Sequence, residues 1–175
     1  MIVLMAGLPG SGKSTVARGL ADALSATILD KDQVRASLFC SDVDYSREQD
    51  DLCVGVMAQV AAYLLHRDPK RTILVDGRTF SRRYQFEVWD RQSETCQVPL
   101  KVVECVCDDD TTRERLDRDI AAGAHPASNR DYAMYQAAKR KSEPIRRPRL
   151  VLDTRQPLDA CVQQALAYLL DADGR

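Results

Sequence analysis

The chain has 175 residues, 45% of them hydrophobic and 29% charged, which suits a single globular domain spanning residues 1–175. Its formal net charge of -1 at pH 7 argues against the broadly basic surface of proteins that bind nucleic acids non-specifically. No apolar stretch reaches the ~20 residues of a transmembrane helix, and no signal peptide precedes the first predicted strand. We therefore expect a cytoplasmic protein without membrane partners, whose six cysteines, lacking any C-x-x-C pair, are free thiols.

The chain opens with an unbroken apolar run, Ile2–Ala6, which predicts a strand buried on both faces of a parallel sheet. Gly7 ends this run, and residues 14–24 carry apolar side chains at helical spacing. Further strands are predicted at residues 26–29, 72–75, 100–106 and 150–152, and further helices at 33–39, 47–66, 82–95, 111–121, 129–143 and 158–170. Strands that alternate with helices predict an α/β fold in which right-handed β-α-β units build a five-stranded parallel sheet.

Polar or glycine residues follow four of the predicted strands. Gly7, Asp30, Asp76 and Asp108 each stand at or just beyond the end of an apolar run. Ligands of open parallel sheets bind beyond the carboxyl ends of the strands. We therefore expect a functional site at that edge, with several acidic residues close together.

The first of these strand ends carries a phosphate-binding motif. Residues 7–14 read G-L-P-G-S-G-K-S and match G-x-x-x-x-G-K-[ST] between a buried strand and a helix. Glycines allow the backbone to turn several N–H groups inward, and the helix N-terminus favours anions. Lys13 is predicted to reach the β and γ phosphates of ATP, and Ser14 to bind Mg²⁺. The residues of this segment predicted to bind the nucleotide are Gly7, Pro9, Gly10, Ser11, Gly12, Lys13, Ser14 and Thr15.

The second strand leads into a pair of charges. Residues 29–35 read L-D-K-D-Q-V-R, so Asp32 and Arg35 lie one turn apart at a helix start and face the same side. A kinase needs a carboxylate that positions the acceptor hydroxyl and receives its proton, and an arginine that binds the acceptor. An exposed ion pair at the start of a helix is the alternative interpretation. Asp30 is the rival base, since either carboxylate could lie nearest the hydroxyl.

Together these segments resemble a family. With residues 7–14, residues 29–35, the D-G-R at 76–78 and the arginine-rich segment from Arg113, the chain resembles the small P-loop kinases. That group includes adenylylsulfate kinases, chloramphenicol phosphotransferases, zeta-type toxins and the kinase domain of polynucleotide 5′-hydroxyl kinases. The resemblance implies a P-loop NTPase fold, a three-layer sandwich around the five-stranded sheet, with an arginine-containing lid.

The resemblance also implies roles for single residues. Asp32 would be the general base, and Asp76 would be the Walker B acid that holds Mg²⁺ directly or through water; a turn residue at the strand end is the less favoured alternative for Asp76. Arg78 would bind an anionic group of the acceptor, unless it belongs to a solvated basic face. The residues predicted to contact the acceptor are thus Asp30, Arg35, Asp76 and Arg78.

Two further segments are assigned by the same likeness. In similar kinases an arginine-rich helix forms a mobile lid, here residues 113–130, whose arginines neutralise the transferring phosphoryl group. Arg115 and Arg118 are the predicted catalytic arginines, with Arg130 as another candidate and an ordinary exposed helix as the alternative. Related kinases place adenine after the last strand, where Thr154 and Arg155 would line it.

The predicted function is ATP-dependent, Mg²⁺-requiring transfer of the γ-phosphoryl group to a hydroxyl of a small molecule. A regulatory GTPase is disfavoured because the chain has no N-K-x-D segment and Asp76 is followed directly by glycine. Adenylylsulfate kinases usually carry L-D-G-D-N-x-R. In this chain Lys31 replaces the glycine of that motif and Gln33 replaces the asparagine. The alternatives are a polynucleotide 5′-hydroxyl kinase, which the near-neutral charge disfavours, an adenylylsulfate kinase, and a regulatory module that binds ATP without transferring phosphate.

Overall fold

Five apolar strands form one parallel sheet in the computed structural model, which describes residues 1–122 and 131–171. Its strands are β1 (Ile2–Ala6), β2 (Thr27–Asp30), β3 (Ile73–Asp76), β4 (Leu100–Val106) and β5 (Leu150–Asp153). They lie in the order β2-β3-β1-β4-β5, and every neighbouring pair is parallel. The predicted α/β P-loop NTPase fold is confirmed, and β1 lies at the centre of the sheet.

Seven helices cover the sheet among the described residues. They are α1 (Lys13–Leu24), α2 (Lys31–Phe39), α3 (Arg47–Arg67), α4 (Glu87–Cys96), α5 (Asp109–Ala122), α6 (Tyr132–Lys141) and α7 (Leu158–Leu170). Short 3-10 turns occupy Cys40–Asp42 and Arg83–Phe86. No helix in this part of the chain is long and apolar enough to cross a membrane. All six cysteines are free, as predicted.

The core consists of two layers because side chains alternate along each strand. On β1, Ile2, Leu4 and Ala6 pack with α3, α4, Phe80 and Trp89. Val3 and Met5 face the opposite side and pack with α1 and α7. Every residue of β1 is buried, which explains its unbroken apolar run.

Several predicted helix boundaries were wrong, and local capping explains two of the helix starts. Helix α2 begins at Lys31 rather than residue 33, because the Asp30 side chain accepts hydrogen bonds from the first turn. Helix α6 begins at Tyr132, where Asp131 accepts from the Met134 N–H at 2.7 Å. The predicted cap Asn129 lies outside the described residues. The segment 82–95 divides into the 3-10 turn and α4.

The described part of the predicted lid, 113–130, belongs to α5, and residues 123–130 lie outside the described chain.

The two-layer core predicts which leucines stabilise the fold. Leu74 on β3 is fully buried, whereas Leu52 on α3 is 53% exposed. Leu74→Ala should lower the free energy of unfolding by about 2–5 kcal/mol, since it removes methyl groups and leaves a cavity. Leu52→Ala, the control, should stay within about 0.5 kcal/mol of the wild type in urea unfolding. Equal losses in the two variants would contradict this packing.

Candidate active site

The P-loop, residues 7–14, joins β1 to α1 through glycines with positive φ. Gly7, Gly10 and Gly12 have φ of 138°, 77° and 79°. A Cβ on Gly7 would lie only 2.5 Å from the carbonyl oxygen of Cys105, so a side chain cannot fit there. Gly12 is the N-cap of α1 and has no side chain that could cap it. The start of α1 therefore has no side-chain cap, and a helix N-terminus favours anions.

A cavity of about 580 Å³ lies over the P-loop and the start of α1. We call it the loop cavity. Most of the residues predicted to bind nucleotide phosphates line it, together with both predicted lid arginines. These lining residues include Gly10, Gly12, Lys13, Ser14, Thr15, Asp30, Arg115, Arg118 and Thr154.

A second cavity, of about 190 Å³, lies against the start of α2. This α2 cavity is lined by Asp32 and Arg35, the predicted base and acceptor contact. Pro9 of the P-loop faces it, and Lys13 lines both the α2 cavity and the loop cavity. The two cavities therefore share Lys13, which is 6% exposed, as a lining residue.

The charges around the α2 cavity are held in a network. Asp32 Oδ1 lies 3.0 Å from Arg35 Nη1 and 3.3 Å from Lys31 Nζ. Asp50 on α3 pairs with both cations, with its Oδ1 2.7 Å from Lys31 Nζ. Tyr45 adds a ring 5.2 Å from the Arg35 guanidinium. Burial lowers the pKa of Lys31, although the Asp32 carboxylate partly offsets the effect.

Asp30 and Asp32, the rival bases, face different cavities. Asp30 lines the loop cavity, and its Oδ1 accepts hydrogen bonds from Asp32 N at 2.8 Å and Gln33 N at 3.4 Å. It stands beside Asp76 in the register of β2 and β3. Burial and, next, the Asp76 carboxylate raise the pKa of Asp30 above its ordinary value.

Asp76 is the most buried carboxylate of the site. It is 1% exposed, and its Oδ1 has no hydrogen-bond partner among the described residues. An orphaned buried oxygen near the P-loop strand fits a Mg²⁺ ligand. The described residues contain no group of three or more His, Cys, Asp or Glu that could hold a metal by themselves. In nucleotide sites Mg²⁺ usually binds one or two carboxylates together with phosphates.

Other predicted site residues point elsewhere. Arg78 is buried, donates to Asp51 Oδ1 at 2.7 Å and lines neither cavity. Arg155 pairs with Asp153 and Asp108 on the surface. Gly7 and Ser11 line a separate cavity of about 180 Å³. Their assignment to the acceptor or nucleotide stays a prediction.

The arginines of α5 differ from one another. Arg113 lies over the Tyr132 ring, with 4.2 Å from its guanidinium carbon to the ring centroid. Arg118 lines the loop cavity. Arg115 donates to the hydroxyl and carbonyl oxygens of Thr154 at 2.9 and 2.7 Å. Arg130 lies outside the described residues.

Comparison with known proteins identifies the family. The family model described as AAA domain matches residues 2–145. The chain belongs to this AAA domain family. A search of curated proteins finds no match.

Solved structures similar to this AAA domain protein include several kinases. A proposed kinase from Chloroflexus aurantiacus is 22% identical, with a TM-score of 0.76 over 95% of this chain and 96% of that one. The APS kinase of Mycobacterium tuberculosis in complex with AMPPNP and APS is 22% identical, with a TM-score of 0.68 over 96% of each chain. A gluconokinase from Sinorhizobium meliloti is 19% identical, with a TM-score of 0.66 over 95% and 89%. At these identities the likeness concerns the fold, that of a small P-loop kinase-like protein.

Asp50 was missed by sequence reasoning. It lies at the start of α3, 19 residues after Lys31, its partner. The adjacent acids Asp50 and Asp51 near a helix start were the available signal, but helix starts commonly carry acids for electrostatic reasons alone.

The raised pKa of Asp30 predicts a pH-dependent stability. When a carboxyl has a higher pKa in the folded state than in the unfolded state, the folded protein loses stability as the pH rises from the unfolded pKa to the folded pKa. The reason is that the carboxyl ionises more readily in the unfolded state. Without nucleotide or Mg²⁺, Asp30→Asn should therefore unfold with a higher free energy than the wild type at pH 7. The difference should vanish below the ordinary aspartate pKa. Chemical denaturation across pH measures this.

The variant Asp30→Ala separates the effect of the helix cap from the effect of the carboxylate charge on stability. Asparagine caps a helix about as well as aspartate, whereas alanine loses about 1 kcal/mol. The alanine variant should therefore be less stable than the asparagine variant at every pH. An asparagine variant less stable than the wild type at pH 7 would contradict the destabilising charge at Asp30.

Proposed function

We propose that the protein is an ATP-dependent kinase that transfers the γ-phosphoryl group to a hydroxyl of a small molecule. The observation that supports this most is the position of Lys13, which lines both the loop cavity and the α2 cavity. ATP in the loop cavity would bring its terminal phosphate to this ammonium group. An acceptor in the α2 cavity would then face the same phosphorus atom.

Asp32 is proposed as the general base. The acceptor hydroxyl donates its proton to the Asp32 carboxylate while its oxygen bonds to the γ-phosphorus, and the bond to the β–γ bridging oxygen breaks to release ADP. Arg35 and Lys31, at 3.0 and 3.3 Å, hold the carboxylate in place. Asp32 lines the α2 cavity, whereas Asp30 lines the loop cavity, and this position favours Asp32 over Asp30 as the base.

Charge neutralisation on the phosphates would come from four sources: Lys13, the P-loop N–H groups, Arg118 and Mg²⁺. Lys13 and the N–H groups of the P-loop bind the phosphate oxygens, and Arg118, which lines the loop cavity, is proposed to contact the transferring group. Ser14 and Asp76 would hold Mg²⁺. When bound, the ion would neutralise phosphate oxygens and fix their orientation.

The α2 cavity supports a small and polar acceptor. Its volume of about 190 Å³ is below the usual range of ~300–1,000 Å³ for ligand pockets. Two cations, Lys31 and Arg35, face two carboxylates, Asp32 and Asp50, so these four charges cancel. A compact hydroxylated molecule fits these groups, since it can both donate and accept hydrogen bonds.

A polynucleotide 5′-hydroxyl end is the second candidate, favoured by a local basic segment. Residues 139–149 contain six Lys or Arg and one Glu. Arg146 and Arg147 line a cavity of about 660 Å³ together with Arg82 and Arg83. Two of these arginines are already paired, Arg82 with Glu143 and Arg147 with Asp90. The pairing weakens the case for a polyanion.

The test is transfer of labelled phosphate from ATP to a panel of acceptors across salt concentrations. The panel should contain sugars, aldonates and amino-alcohols, adenylylsulfate, and 5′-hydroxyl oligonucleotides. We expect labelling of a small hydroxylated molecule with little salt dependence. A single-stranded polynucleotide would instead show a log-log slope of about -0.7 per phosphate contact. Labelling of oligonucleotides alone, falling steeply with salt, would replace the proposed acceptor with the second candidate.

The same assay tests the base with matched variants. Asp32→Asn should lower kcat by at least ~10²-fold and leave ATP affinity unchanged, because the amide keeps the shape but accepts no proton. Asp22→Asn, on the exposed side of α1, is the control and should match the wild type. If Asp30→Asn loses turnover while Asp32→Asn does not, Asp30 is the base.

A further inference from the structure

Two hydrogen-bonded routes join α5 to the P-loop: Arg115 Nη1 donates directly to the Gly10 carbonyl oxygen at 3.4 Å, and a relay runs through the Thr154 hydroxyl. The Thr154 hydroxyl accepts from Arg115 Nη1 at 2.9 Å and donates to the Ser11 carbonyl oxygen at 2.8 Å. Arg115 Nη2 donates to the Thr154 carbonyl oxygen at 2.7 Å. Thr154 is 7% exposed and Ser11 4% exposed, so the relay is shielded from water. The bond to Ser11 is the shorter of the two that the Thr154 hydroxyl could donate, since the Val106 carbonyl oxygen lies at 3.3 Å.

The relay determines the orientation of one peptide group. The Ser11 carbonyl and the Gly12 N–H belong to the same planar trans peptide and point in opposite directions. Holding the carbonyl on Thr154 therefore turns the Gly12 N–H away from Thr154. A Cβ on Gly12 would lie 3.1 Å from Arg115 Nη1 and 3.2 Å from the Thr154 hydroxyl oxygen, so the relay packs directly against this glycine.

We propose that Thr154 and Arg115 are positioning residues that aim the Gly12 N–H at the nucleotide phosphates. This inference rests on the proposed binding of ATP in the loop cavity. It gives Thr154 a role through the P-loop rather than on the adenine ring. Arg115 supports the P-loop through its hydrogen bonds to Thr154. Because its guanidinium makes these bonds, Arg118 remains as the α5 arginine that we propose to contact phosphate.

Two substitutions at Thr154 separate the hydroxyl from the side-chain shape. Thr154→Val keeps the branched shape but removes the hydrogen bond to the Ser11 carbonyl, and Arg115 Nη1 keeps only its longer bond to the Gly10 carbonyl oxygen. Thr154→Ser keeps the hydroxyl. We expect the valine variant to bind ADP about tenfold more weakly, the effect of losing one buried hydrogen bond, and the serine variant to remain within about twofold of the wild type.

The choice of ligand distinguishes positioning of the P-loop from contact with the base. ADP, inorganic tripolyphosphate and adenosine are titrated by calorimetry into the wild type and both variants. Thr154→Val should weaken ADP and tripolyphosphate alike and leave adenosine unchanged, because adenosine carries no phosphate. A parallel loss for adenosine, or unchanged ADP affinity, would overturn the proposal.

Two controls keep the outcome interpretable. Wild-type protein that binds neither ADP nor tripolyphosphate would contradict the proposed function itself, whereas wild-type binding that Thr154→Val does not change contradicts only the relay. If the valine variant lacks a cooperative unfolding transition, Arg115→Gln replaces it, since it leaves Thr154 bonded to Ser11. This variant should weaken ADP and not adenosine, and equal losses for both ligands would again overturn the proposal.

Discussion

The backbone of the P-loop has to pass between β4 and α5 without side chains at its glycines. At Gly7 the carbonyl oxygen of Cys105 occupies the space of a Cβ, and at Gly12 the Arg115 guanidinium and Thr154 approach the same position. Because β1 is buried at the centre of the sheet, the start of this loop cannot shift. The position of Lys13 at the start of α1, which no side chain caps, follows from these constraints.

The α2 cavity, the proposed acceptor site, depends on electrostatic balance rather than on backbone shape. Lys31 and Arg35 are nearly buried, and such cations are tolerated only when carboxylates compensate for lost hydration. Asp32 and Asp50 provide this compensation from two different helices. The same contacts restrict the rotamer of Asp32. Asp32 is therefore held in one orientation beside the cavity that Lys13 lines, and such a carboxylate is suited to proton transfer. The ion-pair network is thus linked to the proposed chemistry.

The sequence was sufficient for the features that depend on neighbouring residues. The P-loop occupies eight consecutive positions, and the strands are apolar runs, so both could be predicted directly. The spacing of Asp32 and Arg35 also predicted their contact across one helical turn. Helix starts were less accurate, because Asp30 and Asp131 compete with other polar residues as caps.

Contacts between distant segments could not be predicted from the sequence. Arg115 and Thr154 are 39 residues apart, and Arg78 and Asp51 are 27 apart, so no periodicity relates them. An arginine in a charged helix has the same local pattern whether it faces phosphate or supports the P-loop. Only the fold, which brings the end of β5 beside the P-loop, separates these roles.

The central claim is that the phosphoryl group passes between the loop cavity and the α2 cavity beside Lys13. A crystal structure with Mg²⁺ and a non-hydrolysable ATP analogue tests it most directly. We predict that the γ-phosphate lies within hydrogen-bond distance of Lys13 Nζ and faces the α2 cavity, with the Asp32 carboxylate on the opposite side of that cavity. An analogue bound with its γ-phosphate directed away from the α2 cavity, or bound outside the loop cavity, would contradict the account.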